Sequence, residues 1–456
     1  MAVFVWNKGG LMENNKLGIM PINKLVLNIS GPLMISMLVQ ALYNIVDSMF
    51  VAQIEGIGDA GINAISIAFP IQLLGIAVAV GVGIGINAIL SKSLGEKKYD
   101  KLKDVVNNGI VINIGFSILF VILGVFFIDD FFRISTENEL VRELGTSYLR
   151  IICIFSFVKI YLVQFQRMLQ STGLTKYQMA SQGISAVLNI ILDPIFIFKL
   201  EMGIEGAAIA TILAQFIGLL IAISFNRIKN KELQLDFRNF VIKKDIIKEI
   251  LKLGIPAILL QSLQCLLLFI VNRILYSVSE LYVSAYGIYY KYSSLIFMPV
   301  FGINNALIPI VAYNFGARNK KRIIDAYKFT LKFVSTIMVF GGILTYIFAP
   351  NIISIYTPAP ELYTLTIFAT RISVFFFLFF GLNVVTQGFL QAMHSPNRSL
   401  TISLVKVFLF LVPLLILISN IAGIYIWWGF VIAEFFTTLI SLFMFMGVYR
   451  KKIKVL

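Results

Sequence analysis

The sequence predicts an all-α polytopic membrane protein, with twelve transmembrane helices in two six-helix bundles related by an internal repeat. Three observations carry this. The chain of 456 residues is 59% hydrophobic and only 13% charged, with a mean hydropathy of +0.89. No water-soluble domain of this length has that composition. Its apolar residues gather into runs long enough to cross a bilayer, which takes about 20 residues. The chain also repeats itself 221 residues apart, because 81–104, GVGIGINAILSKSLGEKKYDKLKD, can be laid on 302–325, GINNALIPIVAYNFGARNKKRIID.

In that alignment Gly81 falls on Gly302, Gly95 on Gly316 and Asp104 on Asp325, while Lys97 and Lys101 meet Arg318 and Arg322. Gln166, Leu169 and Gln170 match Gln387, Leu390 and Gln391 at the same offset. A helix starting near Pro32 matches one starting near Pro256 with a slip of three residues. Two like-oriented membrane halves point to a transporter, since a site between repeats can be opened to either side in turn.

The spans follow in order near 25–53, 61–90, 105–128, 148–169, 178–198 and 204–225, then 253–278, 283–313, 329–349, 363–391, 399–419 and 424–447. Assigning alternate loops to alternate sides sorts the charge. One side takes Lys8, Lys16 and Lys24, the cluster Lys92–Lys103, Lys176, eight Lys and Arg between Arg227 and Lys252, Arg318–Lys328, Arg398 and the tail Arg450–Lys454. The other takes Arg133, Arg142 and Lys199 beside Asp129, Asp130, Glu137, Glu139 and Glu143. The positive-inside rule then places both termini in the cytoplasm of a cell carrying the protein in its plasma membrane, as in a bacterial inner membrane. The domains are a cytoplasmic tail at 1–24, a lobe at 25–225, a cytoplasmic linker at 226–252, a second lobe at 253–447 and a tail at 448–456.

The net charge of +15 is therefore a topology signal and calls for no nucleic-acid partner. In the linker, FVIKKDIIKEILKLGIP has the pattern of an amphipathic helix lying on the inner surface before the seventh span. Residues 1–24 lack a cleavable apolar core, and Met12 reads as a natural start, which would make 1–11 an upstream extension. Cys153 and Cys265 lie in apolar runs, and the lone His394 sits at a polar break between helices. These residues supply neither a metal centre nor a catalytic constellation, so the sequence predicts no enzyme and no cofactor. GVGIGIN at 81–87 lies inside a span and lacks the setting of a phosphate loop; its small residues Ala77, Ala79, Gly81, Gly83 and Gly85 allow close helix contact. With no nucleotide site, energy must come from an ion gradient.

Charges inside the spans show where. Gln40, Tyr43, Asn44 and Asp47 form a polar stripe on the first span at spacings of three and four, hence one face turned away from lipid. Asp193 lies deep in the fifth span in NIILDPIF, with Asn189 one turn below it, and Pro194 frees the carbonyl of Ile190. A carboxylate at mid-membrane costs about 2.5–3.5 kcal/mol on insertion scales, so it is rarely kept without a task. Two of them close together out of water favour sharing a proton at physiological pH, and the oxygen ligands around them suit Na⁺ equally. In the second half Asn272 stands opposite Asp47, and Asp193 falls in the apolar LFLVPLLIL, so the ion site belongs to the first half.

LYNIVDSMFVAQIEGIG, LQSTG after span four, LNIILDPIFIF and GIEGAAIATILAQF, with FMPVFGINNALIPIVAYNFGARN in the second half, together resemble the multidrug and toxic compound extrusion (MATE) family. The resemblance runs over essentially 25–447. It implies two bundles facing each other across a cavity and export of drugs or toxic metabolites, driven by H⁺ or Na⁺, by a monomer in the lipid bilayer. The family's cation site would map onto Asp47, Asn189, Asp193 and Thr211, the only metal site implied being Na⁺ there. The other main bacterial branch carries carboxylates in spans seven and ten. Here those spans offer Gln261, Gln264, Asn272 and Arg371, so the chain is similar to the DinF-type branch.

Gln166 and Gln170 on span four and Tyr286 on span eight, within the stripe Tyr282, Tyr286, Tyr289 and Ser293, are further candidates for the substrate cavity, beside Gln40, Tyr43 and Asn44. Lys159, Arg273, Lys291, Arg371 and Lys406 also lie within spans, with Glu434 placed to neutralise Lys291 or Lys406. Ion pairing or snorkelling accounts for them. A positively lined cavity for an anion is the other reading, and it corresponds to a lipid-linked precursor flippase of the same superfamily.

Overall fold

The computed structural model describes residues 15–233, 240–356, 358–421 and 423–456. Residues 1–14 of the tail, 234–239 of the linker and the side chain of Cys265 lie outside that description. Among the described residues eleven helices are long and apolar enough to cross a membrane, and a bent pair supplies a twelfth span. The first six spans are Ile22–Ala52, Gly58–Gly95, Tyr99–Phe126, the pair Glu139–Ile154 and Ser156–Ser171, Thr175–Lys199 and Gly203–Lys229. The second six are Lys244–Val278, Glu280–Gly316, Lys320–Ser354, Pro360–Ala392, Pro396–Ile421 and Gly423–Ile453.

The repeat is visible in the helix ends. Spans two and eight stop at Gly95 and Gly316, and spans three and nine start at Tyr99 and Lys320. Spans four and ten stop at Ser171 and Ala392, and spans five and eleven start at Thr175 and Pro396. Every one of these pairs is 221 residues apart. The irregular backbone repeats as well. Lys97 and Arg318 take left-handed φ of 58° and 55°, and Gly173 and His394 take 79° and 52°. Glycine adopts that conformation freely, whereas histidine is strained in it.

Three expectations need correction. Pro32 and Pro256 stand inside their helices, which begin at Ile22 and Lys244, because both spans extend past the apolar run on the lysine-bearing face. The amphipathic stretch of the linker is no separate surface helix, since Lys244–Val278 runs unbroken and the segment is the first turns of span seven. Span four is bent by 46° at Phe155, where no proline or glycine announces a break.

The lobes meet through spans one and two of one half and spans seven and eight of the other. Glycines make this approach possible. A Cβ on Gly85 would stand 2.8 Å from the carbonyl oxygen of Ile250, and one on Gly302 would stand 2.7 Å from Cα of Met34. Near the basic face a Cβ on Gly95 would be 2.9 Å from N of Ala317, and one on Gly316 would be 3.0 Å from N of Glu96.

That face is also clamped by polar contacts. Lys101 pairs with Glu249 at 2.6 Å and Lys243 with Asp104 at 2.7 Å. Arg322 Nη2 donates to the carbonyls of Leu17 and Met20, both at 2.9 Å, and Asn314 Nδ2 donates to Leu17 at 3.1 Å. Asn15 Nδ2 lies 2.8 and 2.7 Å from the two Glu232 carboxylate oxygens, so the short N-terminal segment straps both lobes. The two lobes are thus joined at the basic face.

Candidate functional site

Span five is held on spans six and one by packing along its length. Near its far end the α-helix gives way at Pro194 to a π turn, Ile195–Lys199. Such widened turns recur at functional sites. Here the turn follows directly on Asp193. Asn189 Nδ2 donates to Asp193 Oδ1 at 2.8 Å and to Thr211 Oγ1 at 3.4 Å. Asp193 is fully buried and Asn189 nearly so.

Thr211 lines a cavity of about 120 Å³ inside the first lobe, together with Tyr43, Asn44, Asp47, Gln72, Tyr148, Ser156, Lys159 and Gln215. Asp47 and Asp193 are near enough for their charges to interact, and Tyr148 and Gln72 line the cavity beside Asp47. Three carboxylate and amide oxygens, Asp47 Oδ1, Asn189 Oδ1 and Asp193 Oδ2, are buried with no hydrogen-bond partner among the described residues. Buried acceptors are ordinarily satisfied, so these three leave acceptor capacity that a proton or a hard cation could meet.

The four residues expected at the ion site therefore converge. Of the substrate candidates, Tyr43 and Asn44 line the cavity, and Gln40 is half-buried one turn away. Gln166, Gln170 and Tyr286 do not line it. Gln166 Nε2 donates to Gln182 Oε1 at 3.1 Å. Gln170 accepts from Arg167 Nη1 at 2.7 Å and donates to the carbonyl of Asn305, while Arg167 reaches Asn305 Oδ1 at 3.3 Å. Gln170 and its neighbour thus tie the lobes together near the basic face. Tyr286 stacks on Phe430 with centroids 5.8 Å apart, inside the second lobe. Glu434 pairs with Lys406, not with the exposed Lys291.

Gln72, Tyr148, Ser156 and Gln215 were missed as site residues. Gln72 lies alone in an apolar run on span two, and Tyr148 precedes the bend in span four. The signal available was a lone polar residue inside a span, which is weak without a partner at helical spacing.

Two repeated six-helix lobes, joined on one face and enclosing a polar cavity within the membrane, define a membrane transporter. The family model MatE matches residues 32–195 and 256–417, once in each half, and the chain belongs to that family. A multidrug export protein MepA of Staphylococcus haemolyticus is 27% identical over 427 residues, covering 92% of each chain. The MepA of Staphylococcus aureus strain MSSA476 is 24% identical over 415 residues, 91% of each. Among solved structures, the outward-facing conformation of a multidrug resistance MATE family transporter of the MOP superfamily superposes with a TM-score of 0.91 at 23% identity, over 97% of this chain and 99% of that one. A MOP superfamily transporter from Pyrococcus furiosus, described as having a binding pocket of reverse polarity, gives 0.89 at 23% identity over 96% and 98%.

Proposed function

We propose that the protein is a secondary active multidrug efflux transporter, exporting lipophilic, often cationic compounds in exchange for H⁺ or Na⁺ by alternating access. The observation that carries this is the trio of partnerless buried oxygens on Asp47, Asn189 and Asp193, beside Thr211. The names of the MepA relatives support the substrate class, since those proteins match along nearly their whole length. In this reading the basic face is cytoplasmic and the protein works as a monomer in the plasma membrane. An ion arriving from outside neutralises the carboxylates, which weakens their hold on a cationic drug and releases it.

The second reading, a lipid-linked precursor flippase, rests on the basic residues within the spans. Lys406 is engaged by Glu434, and the Arg371 guanidinium lies 5.3 Å from the Tyr346 ring centroid as in an interfacial snorkel. Both placements favour the exporter. The test is efflux of a fluorescent lipophilic cation from proteoliposomes, with pH and Na⁺ gradients imposed separately. Efflux driven by one of them is expected; efflux indifferent to both sinks the proposal.

A further inference from the structure

Each half carries a groove at the basic face where it meets the other lobe, and the two grooves are treated differently. In the first half the groove lies between the starts of spans three and seven. Lys101 pairs there with Glu249 at 2.6 Å and Asp104 with Lys243 at 2.7 Å. Asn108 Oδ1 accepts from the backbone N of Lys243 at 2.9 Å, and Asn108 Nδ2 donates to the carbonyl of Val241 at 3.3 Å. The end of the linker, 241–243, thus fills that groove and satisfies its polar groups.

The 221-residue repeat carries Lys101, Asp104 and Asn108 onto Arg322, Asp325 and Phe329. These three, with Lys321 and with Ile22 and Asn23 of span one, line an open recess of about 470 Å³. That volume falls within the ~300–1,000 Å³ of small-ligand sites. The segment ahead of span one, 15–21, does not line it. It is drawn between the lobes instead, where Arg322 Nη2 holds the carbonyls of Leu17 and Met20 at 2.9 Å.

The charge has changed along with the filling. Where the first half has Asp100, Asn107 and Val111, the second has Lys321, Lys328 and Lys332, all exposed. At spacings of seven and four they share one face of span nine. Among the described residues none of the three has an ion-pair or side-chain hydrogen-bond partner. Asp325, the acid of the recess, interacts with Arg322. Lys332 lies about 16 Å along the helix from Lys321, so the row descends from the aqueous end into the bilayer. Phe329 stacks on Phe333 with centroids 6.1 Å apart and gives an apolar wall below the cationic rim.

We infer that the recess between spans one and nine binds an anionic phospholipid, its phosphate received by Lys321 and Lys328 and the start of its chains laid on Phe329. Basic pockets between membrane helices recognise such headgroups. Span one belongs to one lobe and span nine to the other. The lipid therefore does for this groove what 241–243 does for its counterpart, fastening the basic face across the lobe boundary. The inference is independent of which ion or drug is carried.

The test titrates the full-length protein in non-ionic detergent with phosphatidylglycerol or phosphatidylcholine of identical chains, and native mass spectrometry counts the lipid retained. Wild type is compared with Lys321→Gln/Lys328→Gln, with Lys321→Arg/Lys328→Arg, and with Arg450→Gln/Lys451→Gln, which removes equal charge elsewhere on the same face. Loss of two interfacial cations predicts about thirtyfold weaker phosphatidylglycerol binding in the first variant. The arginine pair and the distant pair should stay within about twofold of wild type, and phosphatidylcholine should bind all four alike. Phosphatidylglycerol should raise the melting temperature of wild type and not of the glutamine variant, whose lipid-free melting should match wild type. Phosphatidylglycerol binding retained by the glutamine variant overturns the inference, and a recess filled by another part of this chain would give that result. Equal weakening in the distant pair overturns it too, since diffuse attraction would then suffice. Displacement of the lipid by an equal concentration of inorganic phosphate would make the recess a soluble-anion site and overturn the lipid assignment.

Discussion

Each lobe buries a carboxylate deep in the membrane, and the two are treated in opposite ways. In the first lobe Asp193 has one oxygen on Asn189 and the other without a partner, next to a second acid, Asp47. In the second lobe Glu434 has both oxygens engaged, one by Lys406 and the other by Asn383 Nδ2 at 2.7 Å, and Asn383 is itself fixed by Ser441 at 2.7 Å. Lys406 further lies over the Phe376 and Phe380 rings, 5.8 and 5.7 Å from their centroids. The second lobe carries its own counter-ion on the chain, whereas the first leaves its acids open. One architecture thus holds an ion pair in one half and, in the proposed reading, a place for a mobile ion in the other.

The comparison breaks most visibly at the open acids. Asp47→Asn and Asp193→Asn should each bring gradient-driven efflux to background with expression near wild type, because an amide fits but cannot exchange a proton. Vesicle efflux measures this, and retained transport in both variants would remove the acids from coupling. Glu434→Gln should act on stability instead. Breaking a buried pair by removing one partner costs about 3–5 kcal/mol, while replacing both by apolar residues is often neutral. Thermal unfolding of Glu434→Gln beside the double variant Lys406→Met with Glu434→Leu would show a large loss, then recovery. A Glu434→Gln protein of normal stability that no longer couples would make the two lobes alike.

A smaller effect comes from the helix breaks after spans four and ten, where Gly173 and His394 occupy equivalent places. Burial, reinforced by Lys92 and Lys452, pushes the His394 imidazole down to about 3. The unfolded chain binds a proton below about pH 6.5 and the folded one does not, so stability present above that value is lost as pH falls toward 3. His394→Asn should flatten the melting temperature across that window, since asparagine tolerates the left-handed backbone. A profile unchanged in shape would detach the histidine from the acid sensitivity. The least effect is expected at the exposed Asn272, one residue past the place equivalent to Asp47 by the Pro32–Pro256 offset, where alanine should alter efflux rates less than about twofold, within ordinary surface tolerance.

Much of this was legible in the chain. The spans follow from apolar run length alone, and the repeat from Gly81 on Gly302 through Asp104 on Asp325, because those residues sit where backbones touch and cannot drift. Asp47, Asn189 and Asp193 were legible because polar groups at helical spacing inside a span have few explanations. The bend at Phe155 was not, since it lacks a breaker residue and arises from packing. Nor could the sequence separate Gln170, which ties the lobes together, from a cavity residue, because its partner Asn305 lies 135 positions away. Lys159 was legible as an intramembrane charge but not as a member of the acid-bearing cavity, which only the folding of several helices around one space reveals.

The contact at Gly95 and Gly316 is reciprocal in a stronger sense. Gly95 faces Tyr313 and Ala317, while Gly316 faces Lys92 and Glu96. Shifting either set by the repeat length of 221 gives the other, so each half presents the same patch and meets it turned about a pseudo-twofold axis. A surface that recognises its own copy is the isologous face of a symmetric dimer. A chain of half this length, with six spans and this one patch, already holds the instructions for closing upon a second molecule of itself.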